Sequence, residues 1–401
     1  MNQTSLGPLP LEVIYLALVL VLLLVPRILQ RFRIPAPLTS FSLGIAAASL
    51  VQGLGGDSTL TLLATLGISS LFLFAGLEIE LEAFHRGRWP LLGHLAIRAL
   101  ALAGVAWLAM QWLELSWQAA SLLGLALLTP STGFIMDTLG QQGLDDEERF
   151  WVAAKAVAGE ILALAVLFVV VQSGSGRQLA VSSLALVAML AGLPLLFVLF
   201  GRYVLPHAPG SEFSLLVLVG LIAAYLTKQL GVYYLVGAFL TGLVARLLRE
   251  RMPSLASDEN LHAVRLFASF FVPFYFFHSG TRIPPEAFQW EALGLGLLLS
   301  AVILPLRIGV QWAHRRMAVD EDAGSSLRVA ITLTPTLIFT LVLAGILRER
   351  YGLSDTWYGA LLVYAFLSTA LPSVLKGRTM VFDPARVARM APSPAVRGES
   401  P

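Results

Sequence analysis

Long apolar stretches recur along almost the whole of this chain, each bounded by charged or turn-forming residues. A helix needs roughly 20 mostly apolar residues to cross the hydrocarbon core of a bilayer. Thirteen stretches approach this length: about 11–30, 37–53, 60–80, 90–111, 117–139, 149–172, 178–201, 211–229, 232–248, 262–281, 291–313, 325–348 and 356–375. Because lipid offers no water to backbone polar groups, segments of this length must be helices. The sequence therefore predicts an all-α polytopic membrane protein with about 13 transmembrane helices.

The composition agrees with a membrane protein. Of the 401 residues, 57% are hydrophobic and 13% are charged, whereas soluble domains average about 25% charged residues. The chain has no cysteine, which excludes disulfides, a thiol nucleophile and thiolate metal sites. It also lacks a nucleophile elbow, a phosphate-binding loop and metal-spaced histidines, and its basic residues are scattered along loops. These features indicate no enzyme, no cofactor and no nucleic-acid partner.

The placement of the basic residues predicts the orientation of the chain. No Lys or Arg precedes the first apolar stretch, and Arg27, Arg31 and Arg33 follow it, the reverse of a cleavable signal peptide. With the N-terminus outside, 17 basic residues fall in inside segments and 5 in outside segments. The positive-inside rule then predicts that the N-terminus is outside and the C-terminus inside. We expect residues 1–10 to form an external segment and residues 377–401 a disordered cytoplasmic tail.

Two pairs of similar sequences indicate an internal repeat. LFLFAGLEIELEAF at 71–84 resembles YFFHSGTRIPPEAF at 275–288, and LTPS at 128–131 recurs as LTPT at 333–336. In each pair the two copies lie seven predicted spans apart, so they have opposite orientations in the membrane. The sequence therefore predicts a transmembrane domain over 11–376 built from inverted repeats, about 11–172 and 211–376, which a linker span at 178–201 connects.

Each repeat carries a proline at membrane depth. Pro130 and Pro335 each remove a backbone donor and disturb the preceding turn of the helix. At the first break the hydroxyls of Thr129, Ser131 and Thr132, with freed carbonyls, could line a polar cavity for a monovalent cation. Thr334 and Thr336 flank the second break. An ordinary proline kink is the alternative explanation for each break, but their recurrence in matching spans favours a binding site.

Glu160 is the only acidic residue deep within an apolar stretch. A charge at the centre of a span costs about 2.5–3.5 kcal/mol on insertion scales, so an acid at this depth is a candidate functional group. Because desolvation favours the neutral form of a carboxyl group, Glu160 could hold a proton and exchange it for a cation. The alternative is a structural glutamate that forms a hydrogen bond with a neighbouring helix.

Two basic residues are predicted to balance charge near this acid. Arg307 lies within a span and cannot lose its proton, so it requires an anionic partner or the C-terminal end of a broken helix. Glu160 is the first candidate partner. Lys155 precedes Glu160 by five residues, on the cytoplasmic side of the same span. For both basic residues, snorkelling to the membrane edge is the alternative. Weaker candidates are Asp137, Arg98, His94 and His278.

Several of these segments resemble the monovalent cation:proton antiporter superfamily, in its Kef-type and NapA-type branch. The similar segments are LFLFAGLEIE in the third span, the hydroxyl-rich break in the fifth, GAFLTGL at 237–243 and FFVPFYFFHSG at 270–280, and the resemblance covers about 10–377. It implies a NhaA/NapA-like fold with two crossed broken helices. It also implies a core domain, a dimerisation domain, a homodimer, and alternating access across a bacterial cytoplasmic (inner) membrane.

The resemblance also implies that Glu160 is the ion-binding acid. Family members have Asp, Asn or Gln immediately before this acid, and this chain has Gly159. A single acid is typical of electroneutral members, so we expect one Na⁺ or K⁺ to exchange for one H⁺. After Pro335 the chain also lacks the charged motif of Kef-type members. A Na⁺-coupled symporter of an organic anion and a non-transporting sensor on the same fold are the alternatives.

Overall fold

The computed structural model describes residues 11–32, 34–50, 53–79, 87–140, 142–208, 210–230, 234–319 and 321–375. Within these ranges the chain forms 15 α-helices, two short 3₁₀ turns and no strand. The α-helices are α1 (Leu11–Gln30), α2 (Ala36–Leu50), α3 (Ser58–Leu77), α4 (Arg88–Leu113), α5 (Trp117–Leu128), α6 (Thr132–Leu139), α7 (Asp146–Gln172), α8 (Gly176–Tyr203), α9 (Glu212–Gln229), α10 (Tyr234–Leu247), α11 (Asp258–Thr281), α12 (Trp290–Ala318), α13 (Ala323–Thr332), α14 (Leu337–Tyr351) and α15 (Asp355–Leu375). The predicted external segment and cytoplasmic tail lie outside the described residues.

Each predicted apolar stretch coincides with one helix or with two helices separated by a break. Among the described residues, 10 segments are long and apolar enough to cross a membrane, or up to 11 if the bent pair α13–α14 counts as one span. The helices α2 and α10 are apolar but shorter. The all-α membrane class is thus confirmed, whereas the count of thirteen spans and the orientation stay predictions.

Polar side chains in the sequence mark where several helices begin. Asp57 accepts the backbone N–H of Leu60 at 2.7 Å at the start of α3. At the start of α7, Asp145 and Glu148 form a capping box, in which each side chain accepts the other's backbone N–H. These contacts satisfy N–H groups that have no partner within the helix. They place the start of α7 so that Glu160 lies near the middle of this 27-residue helix.

The helices pack as two bundles. The first bundle contains α1, α2, α3, α9, α10 and α11, and the second contains α4 to α7 and α12 to α15. The long helix α8 lies between them in the chain and contacts α7 and α10. Each bundle therefore combines helices from both halves of the sequence, as an inverted repeat requires.

Two close helix contacts in the first bundle repeat the same geometry. Where α2 meets α11, a Cβ on Gly44 would lie 2.0 Å from a backbone carbonyl oxygen of α11, and a Cβ on Gly280 would lie 2.3 Å from one of α2. Where α3 meets α10, a Cβ on Gly76 would lie 2.2 Å from a backbone carbonyl oxygen of α10, and a Cβ on Gly242 would lie 2.1 Å from one of α3. Only glycine permits these approaches, as is usual where membrane helices pack closely. The aligned glycines of the sequence repeat, Gly76 and Gly280, thus have equivalent packing roles.

Candidate functional site

The two helix breaks lie against each other within the second bundle. The first break separates α5 from α6, and the second separates α13 from α14 with a bend of 44°. The backbone N–H of Ser131 donates to the carbonyl of Pro335 at 2.8 Å, and the N–H of Ile338 donates to Ser131 Oγ at 3.0 Å. Each break therefore satisfies backbone groups of the other, which non-helical chain at this depth requires. The predicted pair of crossed broken helices is confirmed.

Hydroxyl groups of the second break are engaged in local hydrogen bonds. Thr336 Oγ1 lies 2.9 Å from Ser368 Oγ, and Thr334 Oγ1 donates to the carbonyl of Ser368 at 3.1 Å. Thr340, one turn into α14, donates to the carbonyl of Ala126 in α5 at 2.7 Å. These contacts hold the second break against α5 and α15, so its threonines have structural roles here.

Glu160 lies on α7, 2% exposed, and faces a narrow cavity beside the two breaks. The cavity is lined by Leu71, Phe72 and Ala75 of α3, by Ser131, Thr132 and Gly133, by Glu160, and by Ile338 and Phe339. Within the described part of the chain, Glu160 Oε2 and Thr132 Oγ1 have no hydrogen-bond partner. The cavity is too narrow for a water molecule in this conformation. A buried carboxyl group and a buried hydroxyl group with unsatisfied bonding capacity thus face the same small space.

The three residues predicted to supply hydroxyl ligands differ in their position relative to Glu160. Thr132 is adjacent to the Glu160 carboxyl group through both its side chain and its backbone. Ser131 also lines the cavity, and its hydroxyl oxygen already accepts one hydrogen bond, from Ile338. Thr129 is buried at the end of α5 but is not among the residues that line this cavity. Thr132 is therefore the best placed of the three.

Arg307 binds the end of a broken helix rather than Glu160. Its guanidinium donates to the carbonyls of Thr334 at 2.9 Å and Leu333 at 3.0 Å, and to Tyr364 Oη at 2.9 Å. The last carbonyls of α13 lack partners within the helix and carry about half a negative charge. The expected pairing with Glu160 is thus wrong, and the alternative partner, the helix C-terminus, is the correct one.

Arg98 has the equivalent role at the first break. Its Nη2 donates to the carbonyl of Leu128, the last residue of α5, and Tyr364 Oη donates to the carbonyl of Leu127 at 2.6 Å. Sequence reasoning gave Arg98 little weight and did not predict Tyr364. The sequence did carry a signal for Arg98, since its predicted span and that of Arg307 are seven spans apart, like the repeated segments.

The Arg98 side chain also explains the glycine before Glu160. A Cβ on Gly159 would lie 2.0 Å from Arg98 Nη1, far inside the 3.4–4 Å of ordinary contact. The guanidinium thus occupies the space that a side chain at position 159 would need. The chain therefore has glycine rather than a polar residue before Glu160 because Arg98 fills the adjoining space.

Lys155, which was predicted to balance the charge of Glu160, contacts a histidine instead. It is fully buried, and its Nζ lies 3.1 Å from His314 Nδ1. The ring of His94 lies 6.0 Å from that of His314. His278, another weak candidate, lies in the first bundle, where its Nε2 is 3.2 Å from Thr61 Oγ1. Lys155 and the two histidines at its side thus form a separate basic cluster on the cytoplasmic side of Glu160, given the predicted orientation.

A second cavity extends from one end of α1 toward the region of Glu160. It has a volume of about 300 Å³, lies between the two bundles, and includes Arg27 and Gln30 at its outer end. At its inner end it shares Leu71, Gly133 and Ile338 with the cavity of Glu160. The space between the bundles therefore provides a route toward the acid, and close packing around these shared residues separates the two cavities.

The sequence is similar to those of known membrane transport proteins. A family model described as "Sodium/hydrogen exchanger, transmembrane" matches residues 17–377. YjbQ of Bacillus subtilis, named as a Na(+)/H(+) antiporter, is 24% identical over 383 residues, which cover 87% of this chain and 60% of YjbQ. The glutathione-regulated potassium-efflux system protein KefC of Salmonella typhi is 25% identical over 325 residues, which cover 77% of this chain and 50% of KefC. The chain thus spans roughly half the length of the curated relatives it matches.

A solved structure has the same fold. The sodium proton antiporter MjNhaP1 from Methanocaldococcus jannaschii superposes with a TM-score of 0.65 at 15% sequence identity, covering 90% of this chain and 94% of that one. The overall fold is therefore shared, although the sequences have diverged widely. Since the family model covers residues 17–377 of 401, this chain belongs to the transmembrane sodium/hydrogen exchanger family.

Proposed function

We propose that this protein is an electroneutral antiporter that exchanges one monovalent cation, Na⁺ or K⁺, for one proton across the bacterial cytoplasmic membrane. The observation that carries the proposal is Glu160, a buried carboxyl group beside two helix breaks whose Oε2 has no hydrogen-bond partner among the described residues. A buried charge is costly unless it is paired. The carboxyl group therefore favours two states in the membrane, one with a proton and one with a cation.

Fixed charges around the site support a one-for-one exchange. Arg98 and Arg307 bind the C-terminal ends of α5 and α13, so their charges offset the partial charges of the helix ends. Glu160 is then the group whose charge changes during the cycle. Protonated Glu160 and cation-bound Glu160 carry the same charge, so the exchange of one cation for one proton moves no net charge across the membrane.

The oxygen ligands for the cation come from the first break. Thr132 Oγ1 has no partner among the described residues and lies at the cavity with Glu160. Ser131 Oγ accepts one hydrogen bond and retains a lone pair for a cation. Thr129 would contribute only if the break rearranges, because it does not line the cavity in this conformation. The carbonyls of Ala126, Leu127 and Leu128 at this break already accept hydrogen bonds from Thr340, Tyr364 and Arg98, so the hydroxyl groups and Glu160 are the ligands that we propose.

Access to Glu160 requires motion between the bundles. Leu71, Phe72 and Ala75 of the first bundle line the cavity of Glu160 in the second bundle. Displacement of the second bundle along α3 would uncover the acid first to one side of the membrane and then to the other. We propose that the first bundle provides the stationary part and the contact with a second copy of the chain, as the family resemblance implies.

Exchange in proteoliposomes tests the proposal. A pH-sensitive dye inside the vesicles should report proton movement when Na⁺ or K⁺ is added, and this response should vanish in Glu160→Gln. Glu147→Gln is the matched control, because Glu147 is an exposed acid in the first turn of the same helix. Full exchange in Glu160→Gln would refute the assignment. Na⁺-dependent uptake of an organic anion without proton movement would instead support the symporter alternative.

A further inference from the structure

A lateral cavity between α4 and α12 is separate from the cavity of Glu160. It has a volume of about 340 Å³, and Gly104 and Leu306 belong to its mostly apolar lining. Most of the apolar stretches of α4 and α12 face outward, since only 17% and 22% of them, respectively, are buried inside the protein, and the Leu306 side chain is 53% exposed. A cavity of this size suits a small ligand, since such pockets have volumes of about 300–1,000 Å³. Its position between two outward-facing helices gives access from the lipid.

The polar end of this cavity is positively charged. Arg98 and Arg307 both line it, together with Gln311. Neither arginine forms an ion pair with a carboxylate of the described residues. The ends of α5 and α13 that they bind carry only about half a negative charge each. About one positive charge therefore remains uncompensated at membrane depth, where the cost of an unpaired charge is high.

Hydrogen-bonding capacity is also left at this end of the cavity. A guanidinium has five N–H donors, and Arg98 has one hydrogen bond among the described residues, with Leu128. The free N–H groups of Arg98 are arranged in a planar fork that matches the two oxygens of a carboxylate. A cation would be repelled by both arginines.

We propose that this cavity binds a single-chain anionic amphiphile from the bilayer, a fatty-acid carboxylate whose head group pairs with Arg98. One negative charge compensates the residual positive charge, and the hydrocarbon chain lies along the apolar walls. The volume of about 340 Å³ suits one hydrocarbon chain. The bound carboxylate would hold Arg98 in place beside Leu128 and Gly159, so it would stabilise the first helix break.

Equilibrium binding of radiolabelled dodecanoate to the purified chain in phosphatidylcholine nanodiscs tests this site. Unlabelled dodecanoate should displace the label, and dodecanol, which has the same chain without the charge, should do so at least tenfold less well. Gly104→Trp should weaken binding at least tenfold, because a Cβ on Gly104 meets open space and the indole would fill the cavity. Gly294→Trp is the matched control, since Gly294 lies on α12, has equally open surroundings and does not line this cavity.

The outcomes separate this site from the transport proposal. Binding that is unaffected by Gly104→Trp, or equal displacement by dodecanol and dodecanoate, would overturn the assignment. If Gly104→Trp does not fold, Ala101→Leu, which fills the same cavity with a smaller side chain, provides the test. Glu160→Gln should bind dodecanoate like the unmodified chain, so the loss of exchange in that variant and the loss of dodecanoate binding are independent results.

Discussion

Replacement of Gly159 by alanine tests the contact between Arg98 and α7, the helix that carries Glu160. The new Cβ would lie 2.0 Å from Arg98 Nη1, so the flexible arginine side chain must move away. It would then lose its hydrogen bond to the carbonyl of Leu128 at the end of α5. A hydrogen bond to a charged group contributes about 1.5–3 kcal/mol, and alanine gains about 0.5–1 kcal/mol over glycine in a helix, so we expect Gly159→Ala to destabilise the protein by about 0.5–2.5 kcal/mol.

The effect should disappear when Arg98 is absent. In an Arg98→Ala background, Gly159→Ala meets no guanidinium and should be neutral or stabilising by about 0.5–1 kcal/mol, the difference between alanine and glycine in a helix. Because the helix preference of alanine is the same in both backgrounds, the double-mutant cycle should give a coupling energy of about 1.5–3 kcal/mol, in the upper part of the range for residues in contact. Gly294→Ala, on an open face of α12, controls for the general effect of alanine.

Unfolding of the purified variants in nanodiscs and exchange in liposomes together measure this coupling. We expect Gly159→Ala to lower both the stability and the rate of exchange, because the displaced guanidinium no longer compensates the end of α5. An equal effect of Gly159→Ala with and without Arg98 would refute the reasoning. So would a Gly159→Ala variant with unchanged stability, since the guanidinium would then not occupy the space seen in the structure.

Three further results are expected. Thr132→Val should raise the cation concentration needed for half-maximal exchange at least several-fold, whereas Thr132→Ser should restore it; equal values for both would exclude the hydroxyl as a ligand. Tyr364→Phe should cost about 1–3 kcal/mol in unfolding experiments, because the carbonyl of Leu127 and a donor of Arg307 lose their partner. The apparent affinity for the cation should rise up to tenfold per pH unit as fewer protons compete for Glu160, and then level off; an affinity independent of pH would contradict competition at one carboxyl group.

Local properties of the sequence were sufficient to predict the class of fold and to single out Glu160 as a candidate. Apolar length identifies a membrane helix because the cost of exposing polar backbone to lipid applies to every segment separately. The cost of placing a charge in lipid likewise marks Glu160 as a candidate functional residue, and the cost of unsatisfied backbone groups marks Pro130 and Pro335 as candidate helix breaks. The aligned glycines of the repeat likewise correspond to close helix contacts. None of these inferences depends on which helices are neighbours in the structure.

Pairings between distant side chains could not be predicted in this way. The sequence identified Arg307 as a charge in need of a partner, but it did not determine whether that partner was Glu160 or the end of α13. Gly159 appeared as the loss of a polar residue, whereas the structure shows that Arg98 from another helix occupies its space. Such outcomes depend on which terminal atoms meet when helices far apart in the chain pack together. That packing is a property of the whole bundle, and only the tertiary structure decides it.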